Sequence, residues 1–260
     1  MNPFFTDTHA HISMLANERE LPVKLLLEQL KVAQVNQIIT ISGNSGELLF
    51  SHAQTEIFKE SDIELFCAAG IHPHEAEKQS EDFEWLYDNS DNIIAIGECG
   101  LDFHYDFSPR EIQKKVFRKM IEISIELEKP LIIHARSAER DAMKILLEYD
   151  MANKDVLFHC YTGDTKAAEA VLNHGWYISI SGIATFKKSD DIREILRMIP
   201  DSRLLLETDS PFLAPAPFRG KLNTPALIPH LYKRAAEERN IDIALLANQI
   251  RENTHRFFHT

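Results

Sequence analysis

Long apolar runs are missing from these 260 residues, and none approaches the roughly 20 residues a membrane-spanning helix needs. That excludes a helical membrane protein. Basic residues are also scarce: 28 lysines and arginines face 40 aspartates and glutamates, for a formal net charge of −12. Such a chain has no broad attraction for a polyanion, so any nucleic acid would have to be held by local contacts and bound cations. Cysteine is sparse and odd in number. Cys67, Cys99 and Cys160 cannot all pair, each lies in or beside an apolar run, and they read as reduced, buried thiols of a cytoplasmic protein. The opening Met1-Asn2-Pro3-Phe4-Phe5-Thr6-Asp7 has no basic stretch before its first apolar run, so no signal segment is expected. No linker, repeat or low-complexity tract breaks the chain, and its length suits one domain, residues 1–260.

What is present is an alternation of short apolar runs with longer amphipathic ones. The spacing predicts strands at Phe4–His9, Gln37–Ser42, Leu65–Gly70, Ile93–Gly97, Leu131–His134, Val156–His159, Tyr177–Ser181 and Leu204–Thr208. Helical periodicity fills the gaps, as in Pro22–Gln34, Arg110–Leu127, Asp141–Glu148, Lys166–Asn173 and Asp190–Met198. Two further helices, Ala226–Arg239 and Ile243–Phe258, close the chain. Eight βα units over this length fit an α/β fold, either a (β/α)8 TIM barrel or a doubly wound open sheet. The placement of polar residues decides for the barrel. Chemistry-bearing side chains follow strands 1, 4, 5, 6 and 8, and strands 1 and 8 are neighbours only in a closed sheet.

Those side chains are His9 and His11, Glu98, His134, His159 and Asp209. Mixed imidazole and carboxylate donors suit zinc, manganese, nickel or, more weakly, magnesium. Six protein donors exceed what one catalytic zinc takes, so two divalent ions sharing a carboxylate are expected. Glu98, on a strand between the two groups, is the natural bridge: His9, His11, Asp209 and Glu98 on one ion, Glu98, His134 and His159 on the other. Such a pair can activate water and stabilise the attacking and leaving oxygens of a phosphodiester. Strand alternation puts Asp7, His9 and His11 on one face, with Asp7 behind the histidines as an anchor. Glu207, two residues before Asp209, either anchors a ligating histidine or accepts a proton. His72 either meets a phosphate oxygen, serves as a proton donor, or merely caps the turn before Pro73. His74 is expected on the surface. Arg136 shares the face of His134 and suits bidentate phosphate contact. Cys160 should turn away from His159 into the core. Phe212, Phe218, Arg219, Gly220 and Lys221 could stack a base and hold a phosphate, or simply pack their loop.

These segments together resemble the TatD-like metal-dependent hydrolases, often called TatD deoxyribonucleases. The resemblance runs through Thr6–His11, Gly70–His74, Ile96–Phe103, Pro130–Arg136, Phe158–Gly163, Leu206–Pro215 and Arg219–Pro225. It implies a TIM-barrel hydrolase of the amidohydrolase-like superfamily, with the ligands named above and Glu98 and Asp209 central to catalysis. It further implies action on DNA, chiefly on single strands from the 3′ end. An amide or ester hydrolase, such as a D-aminoacyl-tRNA deacylase, is the alternative, and a barrel that binds without turnover is a third. Cys99 and Tyr161 depart from residues common in the family, which touches pocket detail and no ligand. No obligate protein partner is expected.

Overall fold

The structure, a computed structural model, describes residues 3–79 and 81–260. Met1 and Asn2, read above against a signal segment, lie outside the described residues. Eight parallel strands follow one another around a single sheet: β1 (Phe5–Ala10), β2 (Val35–Ser42), β3 (Glu64–Ala69), β4 (Ala95–Asp102), β5 (Leu131–Arg136), β6 (Val156–Phe158), β7 (Tyr177–Ile180) and β8 (Leu204–Leu206). The helices are α1 (Ile12–Asn17), α2 (Val23–Ala33), α3 (Ser45–Lys59), α4 (Glu84–Asp88), α5 (Arg110–Glu126), α6 (Glu139–Glu148), α7 (Thr165–Asn173), α8 (Asp190–Met198), α9 (Ile228–Arg239) and α10 (Ile243–Phe258). The expected (β/α)8 barrel is what forms.

Apolar side chains separate into two layers. Ile39, Ile41, Ala68, Ala95, Ile132, Leu157, Tyr177 and Leu205 fill the barrel interior, and Phe257 and Phe258 of α10 pack with them. A larger layer lies between sheet and helices, with Leu30, Phe117, Met120, Leu146, Trp176 and Leu196 among its buried members. Strands buried on both faces carry near-continuous apolar runs, which is why these segments are legible in the sequence. Asn253 of α10 donates through Nδ2 to the carbonyls of Asp201 (2.6 Å) and Leu204 (2.8 Å), fixing the start of β8 against the last helix.

Two irregularities govern the chemistry. Between Ile96 and Cys99, β4 spends three residues where β5 spends two, and β1 does the same between Asp7 and Ala10 against β2. One extra residue re-aims the side chains next to it. Glu98 and His9 sit in these bulges, so Glu98 projects from within β4 and not from the loop after it. Gly100 (φ +137°) makes the path possible, because a Cβ there would stand 2.1 Å from the carbonyl oxygen of His134.

The ring closes at a narrow seam between β8 and β1. Ala10 bridges Ser210, the Asp209 amide donates to the carbonyl of His9 (2.9 Å), and the His11 amide donates to that of Ser210 (2.8 Å). Thr8 Oγ1 donates to the Leu206 carbonyl (3.1 Å). Asp7 adds the strongest tie: its carboxylate accepts from the Thr208 amide (2.9 Å) and the Thr208 hydroxyl (2.5 Å). This corrects the expectation that Asp7 backs the histidines. The bulge after Asp7 breaks the alternation, and its carboxylate points across the seam, meeting only the amide of His9 (3.3 Å). Burial pushes Asp7 up to about 7, and the Thr208 donors pull against that rise.

Replacing Thr208 with valine keeps the shape and removes one buried donor to Asp7. We expect Thr208→Val to lower stability by about 1–3 kcal/mol, read as a drop in the denaturant midpoint at unchanged m-value. An unchanged midpoint would show that the hydroxyl does not hold the seam.

Candidate metal centre

All six expected ligands converge at the C-terminal mouth of the barrel. Glu98 stands in the middle, buried, with its two oxygens facing different groups. Oε1 lies 3.5 Å from His11 Nε2 and 3.7 Å from His9 Nε2, and those two nitrogens lie 3.6 and 3.8 Å from Asp209 Oδ1. Oε2 lies 2.6 Å from His159 Nε2 and 3.6 Å from His134 Nδ1. His159 Nε2 and His134 Nδ1 are themselves 3.4 Å apart. Donors sharing a tetrahedral ion with bonds of about 2.0–2.2 Å stand roughly 3.3–3.6 Å from one another. Most of these separations fit that edge length or exceed it slightly.

The rings are aimed by contacts on their far sides. His159 turns Nδ1 to Glu207 Oε1 (3.3 Å), and Glu207 Oε2 accepts from the Ser179 hydroxyl (2.5 Å). His134 turns Nε2 to Asp102 Oδ2 (3.1 Å), which leaves Nδ1 toward Glu98. A carboxylate behind a histidine fixes its tautomer and raises its basicity as a ligand. His9 is different. It is fully buried, stacked on His159 at 4.0 Å, and neither of its nitrogens has a hydrogen-bond partner. A buried imidazole left without partners costs about 1–3 kcal/mol, and a divalent cation between His9, His11 and Asp209 would satisfy it. The donor set therefore fits a metal.

Electrostatics point the same way. Burial opposes ionisation of Glu98, yet the charges of His159, His72 and His9 hold its carboxyl well below the usual range. Burial likewise works against His159 and His134, but Glu98, Glu207 and Asp102 raise both above an ordinary histidine. His11 is also raised, with Asp209 and Glu98 outweighing burial. His9 and His72 are depressed by burial, His72 strongly.

Of the remaining expected residues, His72, Arg136 and Phe212 line a cavity of about 780 Å³ at the mouth. His72 packs against the centre, with Nε2 3.3 Å from His134 Nδ1, and its Nδ1 also accepts the His74 amide (3.1 Å). The turn at Pro73 and the contact with the centre thus coexist. Arg136 lines the cavity with its guanidinium 4.7 Å from the centre of the Tyr105 ring. Of the loop after β8, Phe212 reaches the cavity beside His11, whereas Arg219 stacks on Phe186 and Lys221 on Phe218.

Two expectations fail here. His74 is not a surface residue: it lines the cavity and pairs with Asp102 through Nε2 (2.9 Å). Cys160 is not in the core. β6 ends at Phe158, Cys160 takes φ +43°, and the thiol faces the cavity with Sγ 3.2 Å from Ser181 Oγ. Asp102 is the residue that sequence reasoning missed. One of its oxygens accepts from both His74 and His134, while the other accepts the amides of His104 (3.0 Å) and Tyr105 (2.9 Å). Its position four residues beyond Glu98 was the available signal, but the bulge hides which face it shares.

Residues 6–259 match the family model described as TatD related DNase. A metal-dependent hydrolase of Bacillus subtilis, YabD, is 35% identical over 255 residues, covering 97% of this chain and 98% of that protein. The 3′-5′ ssDNA/RNA exonuclease TatD of Salmonella typhimurium is 34% identical over 201 residues, 74% of this chain and 77% of its own. The crystal structure of the TatD homologue YjjV from Escherichia coli superposes with a TM-score of 0.89 at 24% identity, covering 98% of both chains. At that identity the superposition speaks for the fold.

Two outcomes are expected at this centre. Asp102→Asn leaves His134 without its negative partner, so affinity for a divalent ion should fall about 10–100-fold, measured by competition with a chromogenic chelator. Unchanged affinity would mean that Asp102 does not prepare His134. Because His11, His134 and His159 sit above their ordinary pKa in the metal-free protein, protons compete with the metal beyond the usual histidine range. Metal affinity should therefore rise with pH through neutrality, with protons released on binding. Calorimetry in two buffers of different ionisation enthalpy reads that release directly.

Proposed function

We propose that this chain, which belongs to the TatD-related DNase family and is a metal-dependent hydrolase, cleaves nucleic-acid phosphodiesters, trimming single strands from the 3′ end. The observation that carries the reading is Glu98, one carboxylate whose two oxygens face separate donor groups. In this reading His9, His11, Asp209 and Glu98 hold one divalent ion, and Glu98, His134 and His159 a second, zinc, manganese, nickel and magnesium all being compatible with the donors. When bound, such ions supply a lowered pKa for water and positive charge at the phosphate.

The chain's own residues do the rest. Glu207 holds His159 from behind, the anchoring role of the two weighed for it, since its second oxygen is taken by Ser179. His72 accepts the His74 amide at Nδ1, so the neutral ring carries its proton on Nε2 and offers it to the site. Arg136 is the one arginine or lysine lining the cavity among the described residues, and it suits a phosphate oxygen. Direction and strand preference rest on the Salmonella relative, whose name gives 3′-5′ exonuclease action on single strands. The free cysteines fit a reducing, cytoplasmic setting.

The test is trimming of a 5′-labelled single-stranded oligonucleotide by metal-stripped protein resupplied with Mg2+, Mn2+ or Zn2+. Products shortened from the 3′ end are expected, and Glu98→Ala should lower the rate by at least about a hundred-fold. Full activity in Glu98→Ala overturns the centre. Release of D-amino acid from mischarged tRNA, with DNA left intact, overturns the substrate while keeping the centre.

A further inference from the structure

The loop from β4 to α5 carries three aromatic side chains, and two of them stand open beside the mouth. Tyr105 is 47% exposed and Phe107 is 65% exposed, yet their rings are stacked, 5.3 Å apart and within 15° of parallel. Large apolar rings held parallel and left in water are unusual unless something covers them. His74 meets both edge-on, at 5.7 Å from Tyr105 and 4.7 Å from Phe107, and its own ring lies 6.1 Å from that of His134. The pair therefore begins two ring-to-ring steps from the metal centre.

The loop that carries them is strapped down. Asp102 Oδ1 takes the amides of His104 and Tyr105. Arg110 pairs with Asp106, donates to the Phe103 carbonyl (3.3 Å) and covers the Phe103 ring at 4.5 Å. Ser108 donates to the His74 carbonyl (2.9 Å), and Gln113 donates to the Ser108 carbonyl (2.8 Å). The rings are thus presented by a fixed backbone, which reduces the ordering cost of binding.

Charge around the mouth selects what can lie on them. Glu18, Glu47 and Glu75 line the cavity on the side of β1 to β3, where a phosphate backbone would be repelled. On the side of β4 and β5 the cavity offers Arg136, whose guanidinium rests over Tyr105, while the ion pairs formed by arginines among the described residues involve other arginines. A stacking surface with a free guanidinium beside it matches the two parts of a nucleotide, a base with a π-face and a phosphate.

We propose that Tyr105 and Phe107 form a nucleobase-stacking subsite at the rim of the barrel, with Phe107 as its open face, and that it seats a base near the cleaved end of a single strand. The subsite rests on the nuclease reading above and adds how the strand is held. Stacking tolerates any base, so it confers a preference for unpaired strands without a preference for sequence. A base inside a duplex has both faces covered and cannot use it.

The experiment compares an intact single-stranded oligonucleotide with one whose last four 3′ positions are abasic, using the metal-loaded protein. Wild type should prefer the intact substrate in kcat/KM by about ten-fold or more. Phe107→Ala should bring that ratio close to one through a higher KM on the intact strand, and Phe107→Tyr should keep it. Metal content, measured for each variant, should stay at the wild-type level. A ratio unchanged in Phe107→Ala, or a wild type without preference for bases, overturns the subsite and leaves the nuclease reading standing. A wild type that trims neither substrate overturns the nuclease reading and the subsite together.

Discussion

The seam between β8 and β1 carries the rest of the molecule's chemistry. His9 lies in the first strand and His11 directly after it, while Asp209 follows the last strand, some 200 residues later in the chain. They meet because Asp7 takes both donors of Thr208 and because the amides of Asp209 and His11 cross to the opposite strand. β8 is only three residues long, so few ladder bonds are available there. Side-chain ties replace them. A buried carboxylate in that place is costly unless it is fully hydrogen-bonded, and three donors satisfy it.

Around the mouth, the same low-dielectric interior makes the polar groups interdependent. Glu98 stays ionised because four imidazoles lie near it, and those imidazoles differ in turn: carboxylates outweigh burial at His134 and His159, while burial depresses His9 and His72. His134 and His159 have carboxylates behind them, from Asp102 and Glu207 respectively. His9 has nothing behind it. The asymmetry separates rings held in place by the protein from a ring whose nitrogens only a bound cation would satisfy, and it makes the centre more than a cluster of histidines.

The fold, and the six imidazole and carboxylate side chains that meet at its mouth, were largely legible in the sequence, and the reason is physical. Parallel strands buried on both faces read as apolar runs, and barrel enzymes gather their chemistry after those runs. What escaped depends on backbone detail. The bulge in β1 turned Asp7 from an anchor for histidine into a clasp for the seam. The bulge in β4 concealed that Asp102 returns to the same site as Glu98. Cys160 left the core because its backbone adopts φ +43°, a conformation that strand alternation does not anticipate. His74 was placed on the surface because its partner Asp102 lies 28 residues away and carries no pattern linking the two.

Net charge and local charge then act in opposite senses, and for the proposed substrate that opposition has a consequence. A surface at −12 repels polyanions at long range, so tight binding along a duplex gains nothing from electrostatics. On the nuclease reading proposed above, a strand end needs far less: one phosphate near Arg136 and bound cations, and one base with an uncovered face. The mouth concentrates its attraction within a cavity of about 780 Å³ and leaves the rim acidic over three strands of the eight. Repulsion at distance and attraction at one point favour ligands with a free end over ligands with length. On the proposed reading the acidic exterior acts as part of the specificity, because it removes the non-specific binding that would otherwise compete with the end.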